Sequence, residues 1–303
     1  MAAKEPVRPS GPVRAFVLGG GSDNVTVIDA ERHEVITTIQ VGSEPMLAAL
    51  SPSGKELLVT NRDSLDVSVI DTNALAVTHT IDVQDGPAGC AFTPDGQRAL
   101  VANEHSHTVS LIDTTTWTVI NHVPIGRGPC DMRVLPDGRQ TAVSCQESHL
   151  TVILDAVSGE VLKTIPTPDG PLGVALGPQG RFLLVACFVS NHLYAIDTAS
   201  WRIGWRIRFG SCHIGCTVTP NGRAALVTNG DQDYVSVIDL VRKIEVARIR
   251  VQANPSAVAL VPGTTTAYIT NRGADSVSVV ALKSRETLKQ VPVGSSPLSL
   301  CVG

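Results

Sequence analysis

No apolar run in this chain approaches the roughly 20 residues needed to span a bilayer, and the opening MAAKEPVRPSGP has no apolar core of the kind a secretion signal carries. Basic charge is not in surplus either. With a formal net charge of −4 the chain lacks the general positive field that attracts nucleic acid. The seven cysteines, Cys90, Cys130, Cys145, Cys187, Cys212, Cys216 and Cys301, are odd in number and hold no CxxC pair, so they read as reduced thiols. No stretch has a helical period, Gly19-Gly20-Gly21 opens no helix and so lacks the dipole of a phosphate loop, and no GxSxG elbow occurs. These absences predict a cytoplasmic protein without a membrane or nucleic-acid partner and without an organic cofactor motif.

What the chain does have is a repeat, which takes precedence over local structure. Prolines fall at Pro45, Pro87, Pro129, Pro171, Pro255 and Pro297, in steps of 42 residues except for one double step, whose missing member is His213. Asn61, Asn103, Cys145, Cys187, Asn229 and Asn271 keep the same step, as do Asp29, Asp71, Asp113, Asp155, Asp197 and Asp239. In the unit spanning residues 86–125, four apolar runs lie between turn signals: Pro94-Asp95-Gly96 after the first run and Asp113-Thr114-Thr115 after the third. Each unit therefore reads as a four-stranded antiparallel meander. A small sheet of that kind cannot bury both of its faces until neighbours stack on it, which is the logic of a propeller blade.

The third-strand phrases VTVID, VSVID, VSLID, TVILD, LYAID, VSVID and VSVVA count seven blades. The first unit lacks an opening strand and the chain ends with a spare one, residues 295–302, so the two ends are expected to complete one blade together. The expected fold is all-β: a seven-bladed β-propeller forming a single domain over residues 14–303, after a flexible tail over residues 1–13. The phrases VTN (59–61), VTN (227–229) and ITN (269–271), each leading into a VSV phrase, resemble the YVTN repeat family of seven-bladed propellers. That family includes surface-layer, binding and enzymatic members, so the resemblance implies the fold and no single activity. Resemblance to seven-bladed lactonases and the streptogramin lyase is architectural and transfers no catalytic residue.

Function should reside where the repeats differ. The Pro-Asp-Gly and Ile-Asp-Thr turns on one face repeat with little variation and are explained as turn chemistry. The loops from second to third strand vary, and five of the eight histidines, His105, His107, His149, His192 and His213, lie on their face. His213 replaces a proline at the channel mouth, and Cys187 on the preceding blade is its candidate nucleophilic partner, the alternative being a packed cysteine and a hydrogen-bonded histidine. Cys145 occupies the equivalent position one blade earlier. His105-Ser106-His107 and Glu147 with His149 have a two-residue spacing that a divalent metal could use, against the reading of solvated polar loops. Asp131 and Arg133, two apart on an opening strand that elsewhere carries small residues, are either an internal ion pair or a ligand clamp. Arg62 and Arg272 occupy equivalent loop positions and are candidates to attract an anionic ligand.

Together these features predict a small-molecule site at the variable mouth, formed mainly by blades two to six. If it is catalytic, the expected chemistry is hydrolase, lyase or isomerase-type turnover of a lactone or other cyclic metabolite. His213, His149, His105 and Glu147 would then act in acid/base roles, with Cys187 as nucleophile. Arg62, Arg272, Asp131, Arg133, Cys145, His107 and His192 are the expected ligand contacts. The rival expectation is a noncatalytic scaffold that binds a protein partner.

Overall fold

The computed structural model describes residues 12–168 and 170–303, except for the side chain of His213; most of the expected tail, residues 1–11, lies outside the described residues. Seven four-stranded antiparallel sheets follow one another around an axis. Blade one joins Pro297–Val302 to Arg14–Gly19, Asn24–Asp29 and Glu34–Gln40, so the two ends of the chain close the ring as expected. Blades two to seven open with Pro45–Leu50, Pro87–Phe92, Pro129–Val134, Pro171–Leu176, His213–Val218 and Pro255–Leu260. These opening strands touch their neighbours all the way round and line the channel. Val13, assigned to the tail by the sequence, is tied to the domain: its carbonyl accepts the Ala30 amide at 3.0 Å.

The reason for a ring is visible in the second strand of any blade. In Arg98–Asn103, Leu100 and Ala102 pack into a cluster shared with blade four, while Ala99 and Val101 pack into one shared with blade two. Alternate side chains point to opposite faces of a strand, so a strand that is apolar at every position needs a neighbour on each side. Leu100, Val101 and their equivalents Leu58, Val59, Leu184 and Val185 have no exposed surface.

A second rule ties the second strand to the third. Asn61, Asn103, Asn229 and Asn271 are buried, and each side-chain amide donates to a serine seven residues on: Ser68 at 2.9 Å, Ser110 at 2.8 Å, Ser236 at 2.9 Å and Ser278 at 2.9 Å. Where the column holds Cys145 or Cys187, the residue seven further on is Val152 or Tyr194, and all four are buried in apolar clusters. A buried amide without its acceptor would cost free energy, so the two positions change together.

The outer strands are edges that could pair with other chains. All seven third-to-outer strand pairs carry a register shift at the same place, such as Leu111/Ile112 and Val237/Ile238. Such bulges twist an edge and blunt it.

The aspartate column closes the turn to the outer strand. The Asp71 carboxylate accepts the amides of Asn73 and Ala74, both at 2.8 Å, and its relatives do the same. Those backbone donors hold Asp29, Asp71, Asp113 and Asp155 below the ordinary carboxylate value of 3.8, and at Asp197 the Ser200 hydroxyl is the leading cause. A carboxyl whose folded pKa is depressed contributes stability above its unfolded value, and that stability disappears as pH falls through the folded one. Thermal melts should therefore show a Tm that is level between pH 7 and 5 and falls below about pH 4; a fall confined to the upper interval would refute this account of the turns.

Candidate functional site

The variable loops and the entries to the opening strands share one face, stitched together within each blade. The first amide of each loop donates to the residue preceding the column proline, as in Arg62 to the Glu44 carbonyl at 2.9 Å and Gln146 to Gly128 at 2.8 Å. Those acceptor residues sit in the left-handed region: Glu44, Gly86, Gly128, Gly170, Cys212, Asn254 and Ser296 all have φ between 51° and 74°. The last residue of each loop is left-handed as well, giving the column Asp23, Leu65, His107, His149, Asn191, Asp233 and Asp275.

That second column carries a clasp between blades. Asp23 accepts the Glu44 amide at 2.9 Å, Asn191 the Cys212 amide at 2.8 Å, Asp233 the Asn254 amide at 3.1 Å and Asp275 the Ser296 amide at 2.8 Å. His107 and His149 place Nδ1 at 3.2 Å from the amides of Gly128 and Gly170. Nδ1 of His149 must carry a lone pair to accept, so its proton is on Nε2. Nδ1 of His107 also lies 2.9 Å from the Glu104 carbonyl. Asp and Asn lead this column because a short polar side chain tolerates φ > 0 and reaches a nearby amide; histidine does the same job with a ring nitrogen.

The other expected residues of this face scatter. His105 is exposed, with Nδ1 at 3.3 Å from Asp85, and Glu147 is exposed and pairs with Arg127 at 3.1 Å. His192 stacks at a tilt near Tyr194, with ring centroids 5.8 Å apart, and its buried Nδ1 has no partner among the described residues. The described residues contain no group of three or more His, Cys, Asp and Glu able to hold a metal ion. Cys145 and Cys187 have no exposed surface, and burial pushes the Cys145 thiol up to about 12. A ligand at the mouth does not meet either sulfur. The backbone of His213 opens blade six opposite Asn229.

The concave site lies inside this ring of loops. A cavity of about 320 Å³ opens at the channel mouth, and two columns of the repeat supply its walls. One is the residue after the column proline: Met46, Ala88, Cys130, Leu172, Ile214, Ser256 and Leu298. The other is the first residue of each variable loop: Arg62, Glu104, Gln146, Phe188 and Arg272, with Gly20 and Gly230 in the two remaining blades. All seven blades contribute, with most of the lining residues coming from blades two to six. Of the expected contacts Arg62, Arg272, Asp131 and Arg133 line it, whereas His105, His107, His149, His192, Glu147, Cys145 and Cys187 do not. Glu104, Gln146 and Phe188 were not anticipated; their signal was membership of the column that already held Arg62 and Arg272.

Asp131 and Arg133 form the floor. Neighbouring opening strands approach so closely that a Cβ on Gly89 would lie 2.4 Å from the Cys130 carbonyl, and one on Gly173 would lie 2.2 Å from that of Ile214. Asp131 occupies this same column and uses the proximity, accepting the Val174 amide of blade five at 3.0 Å. Its other oxygen accepts Arg133 Nη1 at 2.7 Å and the Met132 amide at 2.8 Å. The pair is thus an internal ion pair, and it also faces ligand space. Both residues border the upper cavity and a second one, of about 440 Å³, at the other end of the channel. The Arg133 side chain is 41% exposed and that of Asp131 12%, because the guanidinium looks into the channel while the carboxylate is enclosed by backbone. Nearer the rim, Arg62 Nη2 pairs with Glu104 at 2.6 Å.

No protein-family model and no curated protein matches the chain, so the repeat-family resemblance stands on its residues alone. Among solved structures the chain is similar to hydrazine synthase of Kuenenia stuttgartiensis, with a TM-score of 0.80 and 22% identity over 93% of this chain and 99% of that one. It is also similar to a functionally unknown protein from Desulfotomaculum acetoxidans, with a TM-score of 0.83 and 15% identity over 95% and 98% of the two chains. A third similar structure is the dihydro-heme d1 dehydrogenase NirN in complex with DHE, with a TM-score of 0.71 and 18% identity over 96% of this chain and 66% of that one. At these identities the likeness shows the propeller fold alone.

Two substitutions test the roles assigned above. His149→Ala should lower stability by about 1 kcal/mol, the worth of one hydrogen bond, and His149→Asn should restore most of it in a denaturant titration, because asparagine does this job in blade five. Asp131→Ala should cost about 2–3 kcal/mol by leaving Arg133 unpaired, and adding Arg133→Ala should recover part of the loss in a double-mutant cycle.

Proposed function

We propose that the protein is a small-molecule-binding propeller whose ligand enters the seven-bladed mouth and rests on the Asp131–Arg133 floor. The observation that carries this reading is the mouth cavity itself: about 320 Å³, within the size range of ligand pockets, with predominantly aliphatic walls and a few convergent polar groups. Its two lining columns vary from blade to blade, and a rigid ring that presents differing side chains at its mouth is a scaffold suited to aiming a site. NirN, a protein of similar fold, is known in complex with DHE, which supports a ligand-bearing role for such a propeller.

Binding rather than turnover is what the described side chains support. Cys130 and Cys216 reach the cavity, but burial raises both thiols, that of Cys216 to about 12, which disfavours the thiolate a nucleophile needs. Glu104 is engaged by Arg62, and the four histidines with described side chains on this face stand outside the cavity. Turnover of a lactone or other cyclic metabolite would depend on His213 as proton carrier. The rival scaffold reading must place its partner on a rim or an outer edge, and the bulge repeated in every blade works against capture of a strand there.

A thermal-shift screen checks the reading. A metabolite that raises the wild-type Tm should lose its effect with Leu172→Trp, which fills the mouth, and keep it with His149→Asn, since binding to the native state alone raises apparent stability. Stabilisation that survives Leu172→Trp would place the ligand elsewhere.

A further inference from the structure

The class of ligand follows from how the charges of the mouth are matched, an inference that rests on the mouth reading. Three arginines line the cavity, Arg62, Arg133 and Arg272, against two carboxylates, Glu104 and Asp131. Arg133 is matched by Asp131 at 2.7 Å and Arg62 by Glu104 at 2.6 Å. Arg272 forms no ion pair among the described residues; its Nε–H lies 3.4 Å from the Ser296 hydroxyl. The buried Nε–H of Arg62 likewise has no partner among them. These two arginines stand on blades two and seven, the neighbours of blade one, where the same column holds Gly20. Two guanidiniums with unused donors therefore flank a position without a side chain.

A second peculiarity lies beside them. The residue before the column proline is Gly86, Gly128, Gly170, Cys212, Asn254 or Ser296 in six blades, but in blade two it is Glu44, in the left-handed region at φ 51°. That region is unfavourable for a long side chain. The Glu44 carboxylate lies 3.9 Å from Arg62 Nη1 and also feels the charge of Arg272. The one acidic member of its column thus lies beside Arg62 and within the field of Arg272, while burial and the neighbouring Asp63 carboxyl push its own carboxyl above the usual range against the arginines' pull. Below the rim the walls turn aliphatic through Met46, Leu298, Leu172 and Ile214.

We propose that the mouth takes an amphipathic organic carboxylate, its carboxylate held by Arg272 and Arg62 over Gly20 and its apolar body laid against Met46, Leu298, Leu172 and Ile214. Glu44 is the internal anion that this carboxylate displaces. A planar two-oxygen head suits a guanidinium fork, and the single positive charge left over on the lining suits a monoanion.

The experiment pairs acids with neutral isosteres of the same shape: 4-phenylbutyrate and 4-phenylbutanamide, octanoate and octanamide, with inorganic phosphate as an anion lacking an apolar body. Affinities come from calorimetry and thermal shift on the full chain. Each acid should bind about tenfold more tightly than its amide, the scale of a charge-assisted contact, and phosphate should not register. Arg272→Gln should remove most of the acid's advantage and leave the amide unchanged, while Glu44→Gln should tighten the acid several-fold. Both variants alter rim side chains, and their unliganded melts report whether the fold is intact. Acids and amides binding equally would overturn the carboxylate class while the mouth reading survives. Phosphate binding as well as the acids would reduce the site to an anion contact at the rim and overturn the amphipathic class. Weaker acid binding in Glu44→Gln would overturn the displacement role. If neither acids nor amides act on the wild type, the amphipathic carboxylate class is overturned, and the mouth reading is decided separately by the metabolite screen with Leu172→Trp.

Discussion

Every sheet in this protein has two apolar faces, and the rest of the structure depends on covering both. Leu100 and Val101 are adjacent in one strand, yet they belong to the cores of different interfaces. A two-layer sandwich would cover one face per sheet and leave the other wet, at a cost of about 1.5–3 kcal/mol for each large aliphatic side chain left exposed. A ring covers both. Once the ring closes through Pro297–Val302, the opening strands crowd the axis, which is why Gly89 and Gly173 touch the backbone of the next strand. The crowding is at the axis itself, and the cavity opens at the mouth with Arg133 among its lining residues.

Closure by packing alone would leave the loop face loose, and there polar chemistry takes over. The residue before each column proline is left-handed, and its amide points toward the preceding blade, where it needs an acceptor. Asp, Asn and His149 supply one in five blades, the His107 Nδ1 lies between the Gly128 amide and the Glu104 carbonyl, and Leu65 is the exception. Two histidines of this face, His107 and His149, are therefore placed by a backbone requirement. Their clustering on one face of the propeller carries no implication of shared chemistry.

This explains how far the residues could be read in advance. A period of 42 fixes strand order, turn positions and ring closure, because equivalent residues in a closed ring must occupy equivalent places. The mouth was legible only in part: Asp131 and Arg133 depart from their columns, Arg62 and Arg272 recur at equivalent loop positions, and these four line the cavity, whereas the expected cysteines, Glu147 and the described histidines do not. Glu104, Gln146 and Phe188 belong to the same column as Arg62, and that shared column is the signal that places them at the mouth. The cysteines were harder to place. Cys145 and Cys187 look like reactive substitutions in an asparagine column until Val152 and Tyr194 are set beside Ser110 and Ser236; then they are the apolar version of a two-residue exchange. Left-handed backbone at His107 and His149 has no signature in spacing, so the direction of those side chains could not be read.

The Asp131–Arg133 floor connects the packed axis to the open mouth. A charged pair at the axis of a tightly packed ring should be costly, and two features reduce that cost. Asp131 takes backbone donors from its own strand and from Val174, which replaces much of the hydration it lost. Arg133 keeps 41% of its side chain exposed toward the channel, so its charge is not fully desolvated. A pair made only for stability would gain from burying the guanidinium against further acceptors. Here Nη1 is committed to Asp131 and the Met132 carbonyl, and the exposed part of the group faces the cavities on either side. The Asp131–Arg133 pair therefore fixes the guanidinium in place and leaves it accessible, which is the condition for a structural ion pair to serve also as the base of a binding site.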